Sequence, residues 1–183
     1  MQGWVQRQES RAVSAAEKAS ADDDCLNFLA KLNDPTKGAE LVRVFGKRGK
    51  FVLPHEDEWE FACRGGKGNR RPYYFGDELN GKQANCDGTV PFGTATPGPY
   101  KKRTTAVGEY EKVSPHPWGL CDMHGNVYQW CENNYNEDPK NGRVVRGGSW
   151  GGDARGCRAA ARLRRPPGIR SDFLGCRVCF RLD

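Results

Sequence analysis

The chain has 183 residues, 37% of them apolar and 28% charged, with 23 glycines, 11 prolines and a formal charge of +6. That length allows one domain with its own core, and the clustering of Gly, Pro, Asn and Asp predicts a loop-rich α+β fold. No stretch approaches the roughly 20 apolar residues that cross a bilayer, and the polar start has no apolar leader core, so a cytoplasmic protein without a membrane partner is expected.

Residues 1–20 carry no core pattern and read as a flexible or irregular arm, leaving 21–183 as the domain. The acidic run Asp22, Asp23, Asp24 suits a helix start, and Cys25, Phe28, Leu29 and Leu32 follow at helical spacing until Asn33, Asp34 and Pro35 stop it. "GKFVLPHEDEWEFACRGG" predicts a short strand, a Pro-initiated helix with acids in its first turn, and a Gly stop, with Trp59, Ala62 and Cys63 inward. From Lys67 to Lys112 the sequence is nearly all turn chemistry, which predicts a long ordered loop region held by side chains, metal or packing. "PWGLCDMHGNVYQWCENNY", "GRVVRGGSW" and "LGCRVCF" then supply short strand-like runs bounded by Gly or Asn.

Eight cysteines show no repeating framework and are expected to be mostly reduced and buried. Cys176 and Cys179 have CxxC spacing, but within a strand their thiols point to opposite faces, which favours a structural role. From Gly151 to Asp183 there are eight Arg and three acids, a net of +5 against +1 for the rest. That basic segment suits an acidic partner. It contains no Lys and no regular aromatic interleaving, which argues against nucleic acid and for a framework role of several arginines.

"FVLPHEDEWEFACRGG", "YYFGDELNGKQANCDG", "HPWGLCDMHGNVYQWCENNY", "RVVRGGSW" and "CRAAARLRRPPGIRSDFLGCRVCF" occur in the order found in the formylglycine-generating-enzyme, or sulfatase-modifying factor, family, which the chain resembles from about Asp22 to Asp183. The resemblance implies a C-type lectin-like fold: a small twisted antiparallel sheet, two helices and long ordered loops, here in an N-terminally shortened domain. In "HGNVYQW" the Gly and Asn suit a turn with positive φ, and Val127 and Gln129 then face away from Tyr128 and Trp130. In "RGGSW" the glycines allow close backbone approach and Trp150 is expected to close over the core.

The family's enzyme oxidises a substrate cysteine with copper held by two cysteines five residues apart, because thiolates suit Cu(I). Alignment on "AAR" and "LGCRV" places Ala154 and Ala159 at those positions, and Cys157 between them supplies one thiol only, so no copper is expected. The iron-dependent sulfoxide synthases are resembled less, since His55, His116 and His124 make no HxxxH spacing. No GxGxxG after a strand, Walker loop, GxSxG elbow or HExxH is present. The resemblance also implies calcium at "DMHGNVYQ", with side-chain oxygens from Asp122 and Gln129 and carbonyls from Gly125 and Val127, and a second site near "ANCDG". Gln129 stands where the family has Glu, and the second site lacks its Asp near Gly98.

From Gly151 onward there is no Lys, Glu, Gln, Met or Trp, the five amino acids that no codon ending in C encodes. A branch of the family comprises the variable proteins of diversity-generating retroelements, in which mutated AAC codons vary a C-terminal ligand surface. Gly151, Gly152, Asp153, Arg155, Gly156, Leu163, Arg164, Arg165, Gly168, Ile169, Ser171, Asp172 and Phe173 fit that vocabulary. They alternate with the framework residues Trp150, Cys157, Arg158, Arg162, Pro167, Arg170, Leu174 and Arg177. A GC-rich coding sequence would produce the same bias. The sequence therefore points first to a non-catalytic domain whose residues 150–173, Trp150 included, bind a protein or peptide ligand. A fixed interaction module comes next, and a copper-dependent oxidase last.

Overall fold

The computed structural model describes residues 21–183, so the expected N-terminal arm lies outside the described residues. Helix α1 (Ala21–Leu32) buries Cys25 and Leu29, with Phe28 and Leu32 packed beside them. Asn33 then acts as a false strand partner: its amide nitrogen donates to the Phe51 carbonyl at 2.7 Å and its oxygen accepts from the Phe51 N–H at 2.7 Å. This pins the helix end to β1 (Gly49–Val52), which pairs antiparallel with β6 (Cys179–Leu182). A second helix, α2 (Gly38–Phe45), lies between them and was not expected from the sequence, because Gly38 opens it and Pro35 precedes it closely.

Helix α3 (Glu56–Cys63) starts two residues later than a helix with Pro54 as its first residue would. His55, not Pro54, is the cap: its Nδ1 accepts from the Asp57 N–H at 3.2 Å while its own N–H donates to Glu58 at 2.8 Å. That arrangement satisfies two orphan donors at the helix start. Glu56, Trp59, Ala62 and Cys63 form the buried face.

Between α3 and β2 (Tyr128–Asn134) the chain forms no regular helix or strand. Side chains replace the missing ladders, as where Asn80 Nδ2 donates to the Thr96 carbonyl at 3.0 Å, Asn85 Nδ2 to the Arg103 carbonyl at 2.9 Å, and Tyr73 to the Ala154 carbonyl at 2.6 Å. Tyr73, Leu79, Ala84 and Cys86 pack with Ala154 and Cys157 into a core of their own.

The main sheet runs β4 (Leu163–Arg165), β3 (Arg143–Arg146), β2, β5 (Leu174–Cys176). Two pairings are antiparallel and β2 with β5 is parallel. Alternation along β2 sends Trp130 to the core under α1 and Cys131 to the core under α3. "LGCRVCF" is not one strand: Arg177 and Val178 separate β5 from β6, so Cys176 and Cys179 belong to different sheets. All eight cysteines are thiols outside any disulfide, six of them buried. No helix among the described residues is long and apolar enough to cross a membrane.

Candidate functional site

The C-terminal segment turns sharply after β3. Gly147 and Gly148 have φ of 96° and 77°, and a side chain on Gly148 would collide with Cys157, so close approach here requires glycine. Asp153 then caps the 3-10 turn Ala154–Cys157 by accepting from the Gly156 N–H at 2.8 Å. That turn is stitched to a distant loop: Asp87 N–H donates to the Gly152 carbonyl at 2.8 Å and Ala154 N–H to the Val90 carbonyl at 3.3 Å.

None of the thirteen singled-out positions from Gly151 to Phe173 is buried; of the framework residues Cys157 and Arg177 are buried, whereas Trp150, Arg158, Arg162, Pro167, Arg170 and Leu174 are not. Phe173 and Ile169 are 39% and 40% exposed. Trp150 does not close over the core as expected. It is half-buried at the surface, its ring 5.1 Å from that of Phe173 and its Nε1 donating to the Asp172 carbonyl at 3.3 Å. The structure thereby brings Trp150, Gly151, Asp172 and Phe173 together. Gly152 and Gly156 converge on the Tyr128 hydroxyl. Leu163 packs inward against the first core, Arg164 and Arg165 share edge strand β4, and Gly168, Ile169 and Ser171 lie between β4 and β5.

The basic segment is less cationic than its composition implies. Arg162 grips Glu56 through two hydrogen bonds, Arg170 meets Asp24 at 2.7 Å, and Arg181 spans Glu58 and Glu132. Arg177 is buried, its Nε donating to Gln129 at 2.7 Å and its Nη2 to the Cys121 carbonyl at 2.8 Å. The charge facing outward rests on Arg155 and Arg158, both above the Phe92 ring, and on Arg164 and Arg165. A depression of about 280 Å³ beside His55, Asn133 and Glu137 has the Glu56–Arg162 pair in its lining and meets this segment only at Arg162.

Of the four residues expected to hold calcium, Asp122, Gly125 and Val127 lie in the loop before β2 and Gln129 in β2, where its oxygen is committed elsewhere. Gln129 Oε1 accepts from Trp59 Nε1 at 2.8 Å and from Arg177 at 2.7 Å, which uses both its lone pairs. Its Nε2 donates to the Asp122 backbone carbonyl at 2.9 Å. Asp122 has its carboxyl pushed up by burial, and the Arg177 guanidinium already supplies positive charge nearby. As folded, this donor set does not fit a hard divalent cation.

Ala154 and Ala159 are fully buried and offer no metal ligand. A second thiol, which the sequence reading missed, does lie beside Cys157: Cys86 shares a hydrogen bond with it. That bond and burial push the Cys157 thiol well above its usual range. Both sulfurs are shut inside the third core, 1% and 0% exposed, so this pair is not an open thiolate site. Cys86 lies 71 positions away in sequence, and Val90, Phe92 and Tyr128 likewise reach the C-terminal segment only through the fold.

The sulfatase-modifying factor enzyme 1-like domain matches residues 15–182. The formylglycine-generating enzyme of Streptomyces coelicolor is 37% identical over 173 residues, 82% of this chain and 51% of its own length. The inactive C-alpha-formylglycine-generating enzyme 2 of Bos taurus is 34% identical over 143 residues, 71% of this chain and 44% of its own. Among solved structures, Treponema denticola variable protein 1 superposes with a TM-score of 0.58 and 29% identity, covering 73% of this chain and 49% of that one. The chain spans about half the length of these relatives, and about a fifth of the serine/threonine-protein kinase pkn1 of Chlamydia pneumoniae that it also matches. With that match and a fold of the C-type lectin-like kind, the chain belongs to the family of sulfatase-modifying factor enzyme 1-like domains.

Proposed function

We propose that this chain is a non-catalytic ligand-binding domain that presents residues 150–173 to a protein or peptide ligand. The observation that carries this reading is that all thirteen positions reach solvent around the Trp150–Phe173 ring pair, with Cys157 and Arg177 buried beneath them, although the other six framework residues reach solvent as well. The similarity to a variable protein and to an enzyme described as inactive supports it. Trp150 and Phe173 supply an aromatic anchor, and Arg155, Arg158, Arg164 and Arg165 favour a partner with acidic character.

Peptides selected from a displayed random library on the wild-type protein test this directly. Phe173→Asp places a charge on the aromatic patch and is expected to weaken selected peptides about thirtyfold, as loss of an interface anchor does, with the melting temperature unchanged. Selection that yields no Phe173-dependent peptide overturns the reading.

Whether the surface is varied or fixed is decided in the surrounding DNA. A near-identical template copy with adenines at the differing positions, next to a reverse transcriptase gene, is expected for a varied surface, and its absence leaves the fixed module. A CxPxR peptide incubated with the protein and copper should keep its cysteine sulfur. Sulfur loss abolished by Cys157→Ser would restore the oxidase reading.

For calcium, the commitment of Gln129 to Arg177 and Trp59 leads us to expect the same melting temperature in calcium and in chelator. A ligand held only by the folded state would raise it, and such a rise would return the loop to the list of metal sites.

A further inference from the structure

We propose that the Tyr128 hydroxyl is the polar floor of this ligand surface, donating to an amide carbonyl of the partner through a notch kept open by Gly152 and Gly156. The assignment rests on the ligand-binding reading above and names a contact point outside the C-terminal segment.

Tyr128 opens β2, where its ring packs against the first core beside Leu163 and Leu174. Its backbone is fixed to the β5 segment: the N–H donates to the Phe173 carbonyl at 2.7 Å, and β2 pairs with β5 at Leu174. The hydroxyl therefore arrives from beneath, at the turn that carries Gly152 and Gly156. A Cβ on Gly152 would stand 3.7 Å from the Tyr128 oxygen and one on Gly156 3.6 Å from it. Both are ordinary contact distances, so any side chain at either position would cover the hydroxyl, and glycine at both leaves it reachable.

Among the described residues the hydroxyl makes no hydrogen bond, and it is not among the polar atoms sealed from solvent without a partner. In the free protein it is open to solvent, so a bond to water is available to it. A ligand that covers the notch must replace that bond or lose affinity, because a buried unpaired hydroxyl is costly.

The chemistry of the notch selects the class of group that fits. Burial raises the Tyr128 phenol, so it stays protonated and able to donate. Arg165 and Asp153 act on it with opposite signs, and Asp153 already accepts from the Gly156 N–H, so the notch favours no ion. A neutral acceptor suits it, and the amide carbonyl is the one that every residue of a protein partner carries. Next to the notch, Gly151 has its Cβ position 3.2 Å from the Phe173 ring, which itself lies 5.1 Å from Trp150. A partner that lays an apolar side chain on this aromatic pair brings an adjacent main-chain carbonyl towards Tyr128.

The test uses the peptides selected on the wild-type protein, measured against Tyr128→Phe, Gly152→Ala and Phe173→Asp. Tyr128→Phe deletes one solvent-reaching oxygen and is expected to weaken binding about tenfold without changing the melting temperature. Gly152→Ala, which meets only ordinary contacts, should weaken binding to a similar extent, and the double variant no further than either alone, because both remove the same hydrogen bond. Peptides that lose binding to Phe173→Asp but bind Tyr128→Phe within about twofold of wild type overturn the assignment and leave the ligand-binding reading intact. Absence of any Phe173-dependent peptide overturns both.

Discussion

Replacing Arg146 by alanine is expected to destabilise the fold by about 3 kcal/mol, as removal of one partner from a buried ion network does. Arg146 sits on β3 with its side chain 1% exposed. One arm of the guanidinium bonds Glu60, another donates to the Ala161 carbonyl at 2.7 Å, and the group lies 5.4 Å above the Trp59 ring. Glu56 lies 3.8 Å away and is held by Arg162 and Asn133. Burial alone would raise the Glu56 carboxyl, but the bonds from Arg162 and Asn133 and the charges of both arginines hold it below its usual range.

Alanine would leave two carboxylates short of a cation and a void under Trp59. For a chain of this size the loss corresponds to a fall in melting temperature of about 10 °C. Arg64 still serves Glu60 at 2.8 Å, which keeps the figure at the lower end of the range for such networks. Thermal melts of Arg146→Ala, Glu60→Gln and the double variant check it, and the double should lose less than the sum. A loss below about 1 kcal/mol for Arg146→Ala would mean that the network contributes no more than a surface pair.

Acidification from pH 7.5 to 4.5 is expected to remove about 3 kcal/mol of stability through His124 alone. Its ring is 2% exposed, Nδ1 donating to the Cys157 carbonyl at 2.7 Å and Nε2 accepting from the Tyr74 N–H at 3.1 Å. Tyr73, Tyr74 and Phe75 surround it with ring centroids 5.1 to 5.4 Å away. Burial pushes its pKa down from 6.5 to about 3, against a smaller upward pull from the Cys157 carbonyl.

Below pH 6.5 the unfolded chain therefore binds a proton that the native state refuses until about pH 3, so stability falls steadily through that window. His116 and Glu56, both lowered, add to the fall, while Asp122, raised by burial, partly offsets it. His124→Gln should be less stable at pH 7.5 yet show a shallower decline towards pH 4.5. Equal slopes for the two proteins would show that His124 is not the titrating group.

The elements legible in the sequence were those fixed by neighbours a few residues apart. Cys25, Phe28, Leu29 and Leu32 marked α1 because a helix repeats every 3.6 residues, and the same rule placed Trp59, Ala62 and Cys63 inside. Gly125 and Asn126 do take φ of 78° and 65°, as a tight turn before β2 requires. The run of motifs was specific enough to indicate the family, and the thirteen positions singled out between Gly151 and Phe173 all reach solvent, although buried Ala154, Cys157 and Ala159 share the same restricted vocabulary.

What the sequence could not decide depends on contacts between distant segments. Arg177 reads as framework, but its partner does not: only the fold brings it to Gln129, 48 positions away, where it takes the oxygen that calcium would need. Trp150 reads as core and lies at the surface, because β5 brings Phe173 beside it. Cys86, Val90 and Phe92 sit in a stretch without periodicity, so no local pattern could place them against the turn at Ala154–Cys157. The sequence alone picked out the candidate positions of the ligand surface. Packing across β2, β3 and the long loop decided which of them share a surface, because burial and charge neutralisation are properties of pairs that the chain order does not contain.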